Sequence, residues 1–282
     1  MTNARRPLAL WFGAWLLGLI VLSTALGPML WGLPVDQMDL AARNQGPSAA
    51  HPLGTDQLGR DLLARVLAGG RISLGVGALA MLVSVALGTA IGVLAGMVRW
   101  LDGPLMRLTD LFLSLPLLPL VLIAITLFRA PLSAAFGPET GIFVLVVTVI
   151  GATSWMPTAR VVRGEVLSVM GRSYVMAARS TGTRGVTIAT RHVLPNTRSA
   201  IIVSATLSVA AAIITESTLS FLGLGFPPDF ATWGRLLFDG TAYLSDYPGR
   251  ALWPGALISL SVLAIVYVGD GLRDRGDPRN LR

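Results

Sequence analysis

Residues Ile72–Val98 read ISLGVGALAMLVSVALGTAIGVLAGMV, an unbroken stretch without a charged side chain. An α-helix rises about 1.5 Å per residue, so about 20 such residues cross the roughly 30 Å hydrocarbon core of a bilayer. In lipid, only a helix or a closed barrel satisfies its own backbone hydrogen bonds. The stretch also places Ala80, Ser84, Gly88, Gly92 and Gly96 at every fourth position. That spacing puts small residues on one helix face, where a second helix can approach closely. The stripe is expected to pack against a neighbour; lining a substrate path is the alternative reading.

Five further apolar runs flank this one: Leu8–Trp31, Asp110–Phe128, Gly141–Thr158, Ala200–Leu224 and Ala251–Val268. The chain therefore reads as all-α, a polytopic membrane protein with about six transmembrane helices in a single domain over residues 1–282. Pro116 and Pro119 interrupt the run Asp110–Phe128, and a kink is expected there. Arg5 and Arg6 precede the first run, and Ser23-Thr24-Ala25 resembles a signal-peptide cleavage site. The apolar run continues past it to Trp31, so a retained helix is expected. Composition agrees, with 53% hydrophobic and 13% charged residues, against about 25% charged in a soluble domain. There is no cysteine, which excludes disulfides, thiolate metal sites and cysteine nucleophiles.

All 22 basic residues are arginines, and the net charge is +7. They lie between the apolar runs and form no single basic stripe, so they orient a membrane protein rather than bind nucleic acid. With the N-terminus inside, the inner segments hold fifteen arginines: Arg5 and Arg6, Arg99 and Arg107, seven from Arg160 to Arg198 and four from Arg273 to Arg282. The outer segments hold seven. Both termini are expected in the cytoplasm of a multi-pass inner-membrane protein. An external loop then covers 32–71 and a cytoplasmic loop 159–199. A second external loop, 225–250, carries Trp233, Tyr243 and Tyr247, expected at the headgroup level or against an external partner.

The cytoplasmic loop contains Ser173-Tyr174-Val175-Met176-Ala177-Ala178-Arg179-Ser180-Thr181-Gly182. Ser173 suits an N-cap, the following residues tolerate a helix, and Gly182 suits the left-handed residue that ends one. Pro195 and Asn196 suit the start of the next helix. A helix this short is marginal alone and must pack on something.

Here the sequence resembles a known family. Ala177-Ala178, three residues, Gly182, eleven residues and Leu194-Pro195 match the EAA loop of binding-protein-dependent ABC importer permeases. Met176 stands where the motif has Glu, and His192 where it has Ile. With Ser173 as cap, Glu at 176 would complete a capping box; Met cannot, at a cost of up to ~1 kcal/mol. His51-Pro52-Leu53-Gly54-Thr55-Asp56-Gln57-Leu58-Gly59-Arg60-Asp61-Leu62-Leu63 resembles the segment after the first span in dipeptide, oligopeptide and nickel permeases. Ser220-Phe221-Leu222-Gly223-Leu224-Gly225 and Gly269-Asp270-Gly271-Leu272-Arg273-Asp274, with Asp277-Pro278, resemble theirs too. The likeness spans nearly the whole chain and is closest to the second of the two permeases.

The resemblance implies the type I importer permease fold, half of a translocation path for di- or oligopeptides, with nickel or glutathione as alternative cargo. It implies a second permease subunit, two cytoplasmic ATPases and an extracytoplasmic substrate-binding protein as partners, within membrane lipid. Ser173–Arg179, Gly182, Leu194 and Pro195 would form the ATPase-coupling segment. No cofactor is expected in this chain; ATP and Mg would be held by the ATPases, since there is no Gly-rich phosphate loop with its Lys. No catalytic or metal-ligating residues are expected.

Glu216 lies inside the fifth run, where a carboxylate is costly. It reads as a lining or gating residue of the path, or as a structurally paired or neutral buried acid. Asp56, Arg60 and Asp61 read as a solvated ion-pair cluster that fixes the loop, or as a contact with the binding protein. His51 and His192 sit in loops on opposite sides, so they share no metal. Asp110 and Asp270 are expected to pair with arginines near the membrane edge. Their remote alternative is an intramembrane aspartyl protease, which would need the two acids to face each other. A scaffold or receptor is a third reading, but would not need the small helix between spans four and five.

Overall fold

The computed structural model describes residues 5–276. Its helices are α1 (Arg5–Trp31), α2 (Leu62–Met97), α3 (Arg99–Ser114), α4 (Leu117–Phe136), α5 (Pro138–Ala152), α6 (Met156–Met170), α7 (Ser173–Ser180), α8 (Gly185–Ile188), α9 (Leu194–Phe221), α10 (Trp233–Thr241) and α11 (Gly249–Gly276). Five segments are long and apolar enough to cross a membrane: Leu8–Trp31, Leu62–Met97, Leu117–Phe136, Gly185–Phe221 and Gly249–Asp274. α5 and α6 pass the same test only together, as one span bent by 43°. The count of about six spans holds, while several boundaries move.

The second span starts at Leu62, not Ile72, because Asp61 caps it by accepting from the Ala64 amide. The loop after α1 therefore ends at residue 61, short of the expected 71. The uncharged run begins only at Ile72, yet Arg65 is buried inside the helix, ion-paired to Asp56. Hydropathy cannot anticipate a buried, neutralised arginine.

The third span breaks rather than kinks. Leu115, just before Pro116, is extended at φ −77°, ψ 136°, the conformation that a following proline favours. Asp110–Ser114 thus belongs to α3, and the membrane run is Leu117–Phe136. The fourth span breaks at residues 153–155. The Thr153 hydroxyl donates to the Val149 carbonyl at 2.7 Å, and Ser84 of α2 donates to the Ser154 carbonyl at 2.9 Å. These bonds satisfy part of the backbone that the break exposes.

α2 is the central post, packed on α1, α5, α6 and α9. The small-residue stripe faces α6. A Cβ on Gly88 would meet Thr158 and the Trp155 carbonyl, and one on Gly96 would meet Val166. A Cβ on Gly92 would stand 2.7 Å from the Ala159 carbonyl oxygen and 2.8 Å from the Val162 Cβ. Gly92→Leu is expected to destabilise the bundle by about 1–3 kcal/mol or more, since it overpacks against backbone that cannot turn aside. The check is the melting midpoint and folded yield in detergent, with Gly103→Ala, which meets open space, as the control.

The start of α1 lies beside the end of α11, since a Cβ on Gly271 would touch Leu10 and one on Gly13 would touch Tyr267. The end of α2 is at the same end of the bundle, with Met97 packed near Val175 of α7. The loops 32–61 and 222–248 are at the opposite end. Trp233 is not at a membrane surface there: it is fully buried, and its indole donates to the Val66 carbonyl at 2.9 Å. Tyr243 and Tyr247 instead flank Arg250, with its guanidinium 4.8 and 4.5 Å from their ring centroids.

Two of the three family-like strings shape α9 and α11. Gly223, with φ +75°, ends α9; the Leu224 amide reaches back to the Leu219 carbonyl at 2.9 Å and the Gly223 amide to Ser220 at 3.1 Å. Those two bonds form the paired closure that a left-handed glycine permits. Gly269 and Gly271 let α11 lie close to Thr206 of α9 and Leu10 of α1. Asp277 and Pro278 are outside the described residues.

Candidate functional site

The small helix between the fourth and fifth spans forms as α7. Its C-terminus closes as its sequence predicts: Gly182 has φ +77°, the Thr183 amide bonds the Ala178 carbonyl at 3.1 Å, and the Gly182 amide bonds that of Arg179 at 3.0 Å. Its N-terminus differs from the expectation. The cap is Arg172, extended at ψ 145°, with no side-chain hydrogen bond; Ser173 is the first helical residue. The capping-box reasoning falls with it, because the third position is Val175. Met176 is one residue further on and 52% exposed. The departure from Glu alters the chemistry of an outer surface and leaves the helix start alone.

Only Val175 of α7 is buried. It packs with Val162, Val166, Val169 and Met170 of α6, with Ile188 of α8, and with Val193. Tyr174 leans on the His192 ring, with centroids 5.9 Å apart. Tyr174, Met176, Ala177 and Arg179 remain exposed, so α7 is a peg pinned at one point and bare on the rest. Between α8 and α9, residues Ala189–Val193 form a widened π-turn. Pro195 lacks the amide that would bond four residues back. The Asn196 side-chain amide donates to the His192 carbonyl one turn back, at 2.6 Å. Leu194 and Pro195 thus start α9 as the sequence indicates.

At the opposite end the loop 32–61 is folded tightly. Asp56 accepts from the Leu58 and Arg60 amides on one oxygen, and from the Arg60 and Arg65 guanidinium groups on the other at 2.7 and 3.1 Å. Burial pushes the Asp56 carboxyl up, but the hydrogen bonds from Arg60 and Leu58, with the Arg60 charge, outweigh it and hold it below its ordinary value. Asp61 accepts from the Trp31 indole at 3.0 Å, from the Ala64 amide at 2.6 Å, and sits 2.8 Å from His51 Nδ1. Asp56, Arg60 and Asp61 are all buried. The expected ion-pair cluster exists but is not solvated, and none of the three side chains presents itself to a partner. Gly54 and Gly59 have φ +82° and +75°, and a side chain on Gly59 would run into the Asp39 carbonyl.

A cleft of about 360 Å³ opens beside the break between α5 and α6. Its walls are largely apolar, from Phe112, Leu117 and Val161, with hydroxyls from Ser204, Ser208 and Thr215 of α9. Reading of single residues passed over this face. The signal was there: Ser204, Ser208, Ala211 and Thr215 recur at helical spacing, which stacks small and hydroxyl side chains on one side.

Glu216 points elsewhere. It is fully buried and accepts from Ser220 at 2.8 Å and Ser73 at 2.9 Å, while Ser73 accepts from the Trp233 amide at 3.2 Å. It ties α9 to α2 and α10, away from the cleft wall. Asp110 pairs with the exposed Arg160, and Asp102 with Arg163. The Asp102 carboxyl lies below its ordinary value because Arg163 hydrogen-bonds it. Asp270 is exposed on α11, and among the described residues no hydrogen bond or ion pair joins it to Asp110. The facing acids that a protease reading needs are not there.

Comparison with known proteins agrees with this arrangement. Residues 88–282 match the family model described as binding-protein-dependent transport system inner membrane component. A putative peptide permease protein of Brucella suis biovar 1 is 41% identical over 95% of this chain and 86% of its own length. The dipeptide transport system permease protein DppC of Bacillus subtilis is 39% identical over 95% of this chain and 81% of its own. A second Brucella suis protein, a putative peptide transport system permease, is 39% identical over 95% and 86%. With the helical bundle, the peg on α6 and a match of this extent, the chain belongs to the family of binding-protein-dependent transport system inner membrane components.

Proposed function

We propose that the chain is the second-type permease subunit of an ATP-driven importer for di- or oligopeptides. The observation that carries this reading is the likeness, at about 40% identity over 95% of the chain, to proteins named as peptide permeases. Nickel and glutathione, open from the sequence, have no such named relatives among these. The bare peg α7 is suited to the groove of a cytoplasmic ATPase, with Tyr174, Met176, Ala177 and Arg179 as its outer surface. A second permease would complete the cleft beside α9 into a path. The loop 32–61 would meet the substrate-binding protein through its exposed residues, with Asp56, Arg60 and Asp61 holding its shape from within. This chain would catalyse nothing itself: ATP and Mg would be held by the ATPases, whose closure supplies the energy difference between inward- and outward-facing states.

Two measurements test the reading. The chain has no cysteine, so a single one can be placed at Ser180 or at Ser48. A membrane-impermeant maleimide applied outside is expected to label Ser48→Cys and leave Ser180→Cys unlabelled; the reverse pattern would remove the coupling role. Proteoliposomes holding the complete transporter are expected to take up labelled dipeptides with ATP and not nickel. Nickel uptake without peptide uptake would overturn the substrate.

A further inference from the structure

α3 follows directly on α2, at the end of the bundle that holds α7, and it is not needed to cross the bilayer. It has 16 residues, four of them charged: Arg99, Asp102, Arg107 and Asp110. After the break at Leu115 and Pro116, α4 is long and apolar enough to span by itself. α3 is therefore left at the edge of the hydrocarbon rather than within it.

Both acids of α3 are spent on α6. Asp102 pairs with Arg163 and Asp110 with Arg160. The Phe112 ring adds an edge-on contact to Trp155, with centroids 6.1 Å apart. The two arginines of α3 are left over. Arg99 and Arg107 are exposed, and among the described residues neither side chain has a hydrogen bond or an ion pair. Trp100, Pro104, Arg107, Leu108 and Leu111 recur three and four residues apart, so they share one face. Trp100, Leu108 and Leu111 are 75%, 44% and 56% exposed. An indole and two leucines interleaved with cations mark a helix that lies between acyl chains and headgroups. The unspent charge on this helix is positive. Glu165 of α6 does not cancel it: it is two residues from Arg163 and so on another face.

We propose that the outer face of α3 binds anionic phospholipid of the cytoplasmic leaflet. Arg99 and Arg107 would take headgroup phosphates, and acyl chains would lie against Trp100, Leu108 and Leu111. The side of the membrane follows from the arginine count of the loops. Through Asp102 and Asp110 the same contact would hold the depth of α6, which seats Val175 of α7.

The full chain in nanodiscs tests this by tryptophan quenching with brominated lipid tails. At equal mole fraction, brominated phosphatidylglycerol is expected to bind about tenfold more tightly than brominated phosphatidylcholine, or better. Trp100→Phe is expected to remove the phosphatidylglycerol-specific part of the quenching. Arg99→Gln combined with Arg107→Gln is expected to lower the preference by about fivefold per arginine. In the same discs, Leu108→Cys is expected to react far more slowly with an aqueous maleimide than Ser180→Cys, because lipid covers it. Equal quenching by the two lipids would reduce the face to ordinary bilayer contact and overturn the proposal. So would an undiminished preference in the double arginine variant, or unchanged specific quenching in Trp100→Phe. A Leu108→Cys as reactive as Ser180→Cys would place the face in water, open to a protein partner, and overturn it as well. Peptide uptake is not among these readouts, so the transport role fails or survives on separate measurements.

Discussion

Val175→Asp is expected to abolish uptake by the assembled transporter, at least tenfold, while the chain still inserts in the membrane. Val175 is the one buried side chain of α7 and sits fully enclosed among the valines of α6, Ile188 and Val193. An eight-residue helix has little stability of its own. Its position depends on that contact and on the closure at Gly182. A carboxylate in an apolar cluster without a partner costs several kcal/mol, so the peg is expected to leave its seat. The cluster lies at one end of the bundle, at the ends of the spans that contribute to it, so insertion is expected to survive. The measurements are uptake, ATPase co-purification and protein level together. Normal uptake in Val175→Asp would remove the coupling role proposed for α7. Val175→Leu, which stays apolar, is expected to keep most of the activity.

The contrast between α7 and the loop 32–61 shows what a sequence discloses. Long uncharged runs gave the spans, because length and apolarity are local properties that lipid demands directly. The Gly182 closure was legible for a similar reason: one left-handed residue is a local necessity. The N-terminus of α7 was not, because local preference points to the serine as the cap, while the helix starts one residue earlier with Arg172 as an extended cap that makes no side-chain hydrogen bond. Burial was the least legible. Arg65, Trp233 and Glu216 look like a loop arginine, an interfacial aromatic and a path-lining acid, yet each is enclosed by partners distant in sequence, Asp56, Val66 and Ser73. Such pairings depend on how α2, α9 and α10 meet. The break at 153–155 was hidden in the same way, since the serine that satisfies it, Ser84, sits about seventy residues earlier.

Asp56→Ala should be the most damaging single change in the loop at the opposite end. Asp56 is the acceptor for two buried guanidinium groups, of Arg60 and Arg65, and for two backbone amides. Breaking a buried pair by removing one partner leaves an uncompensated charge, a loss of about 3–5 kcal/mol. Here one acid serves two arginines, so the upper end of that range is expected. The variant should melt far lower in detergent, and trypsin should cut after Arg60, which is enclosed in the native loop. Asp56→Asn keeps an oxygen for the two amides and should lose less. Acidity supplies an independent check. The Asp56 carboxyl is held below its ordinary value in the folded loop, so the unfolded chain takes up the proton first, near pH 4. Its stabilisation is therefore complete above that pH and is lost as the pH falls through the lower, folded value. The native protein should show an acid-dependent drop in melting midpoint below about pH 4 that Asp56→Asn shows only in reduced form. Identical acid profiles for the two proteins would mean that the Asp56 charge contributes nothing to the loop, and that the arginines around it are held by some other means.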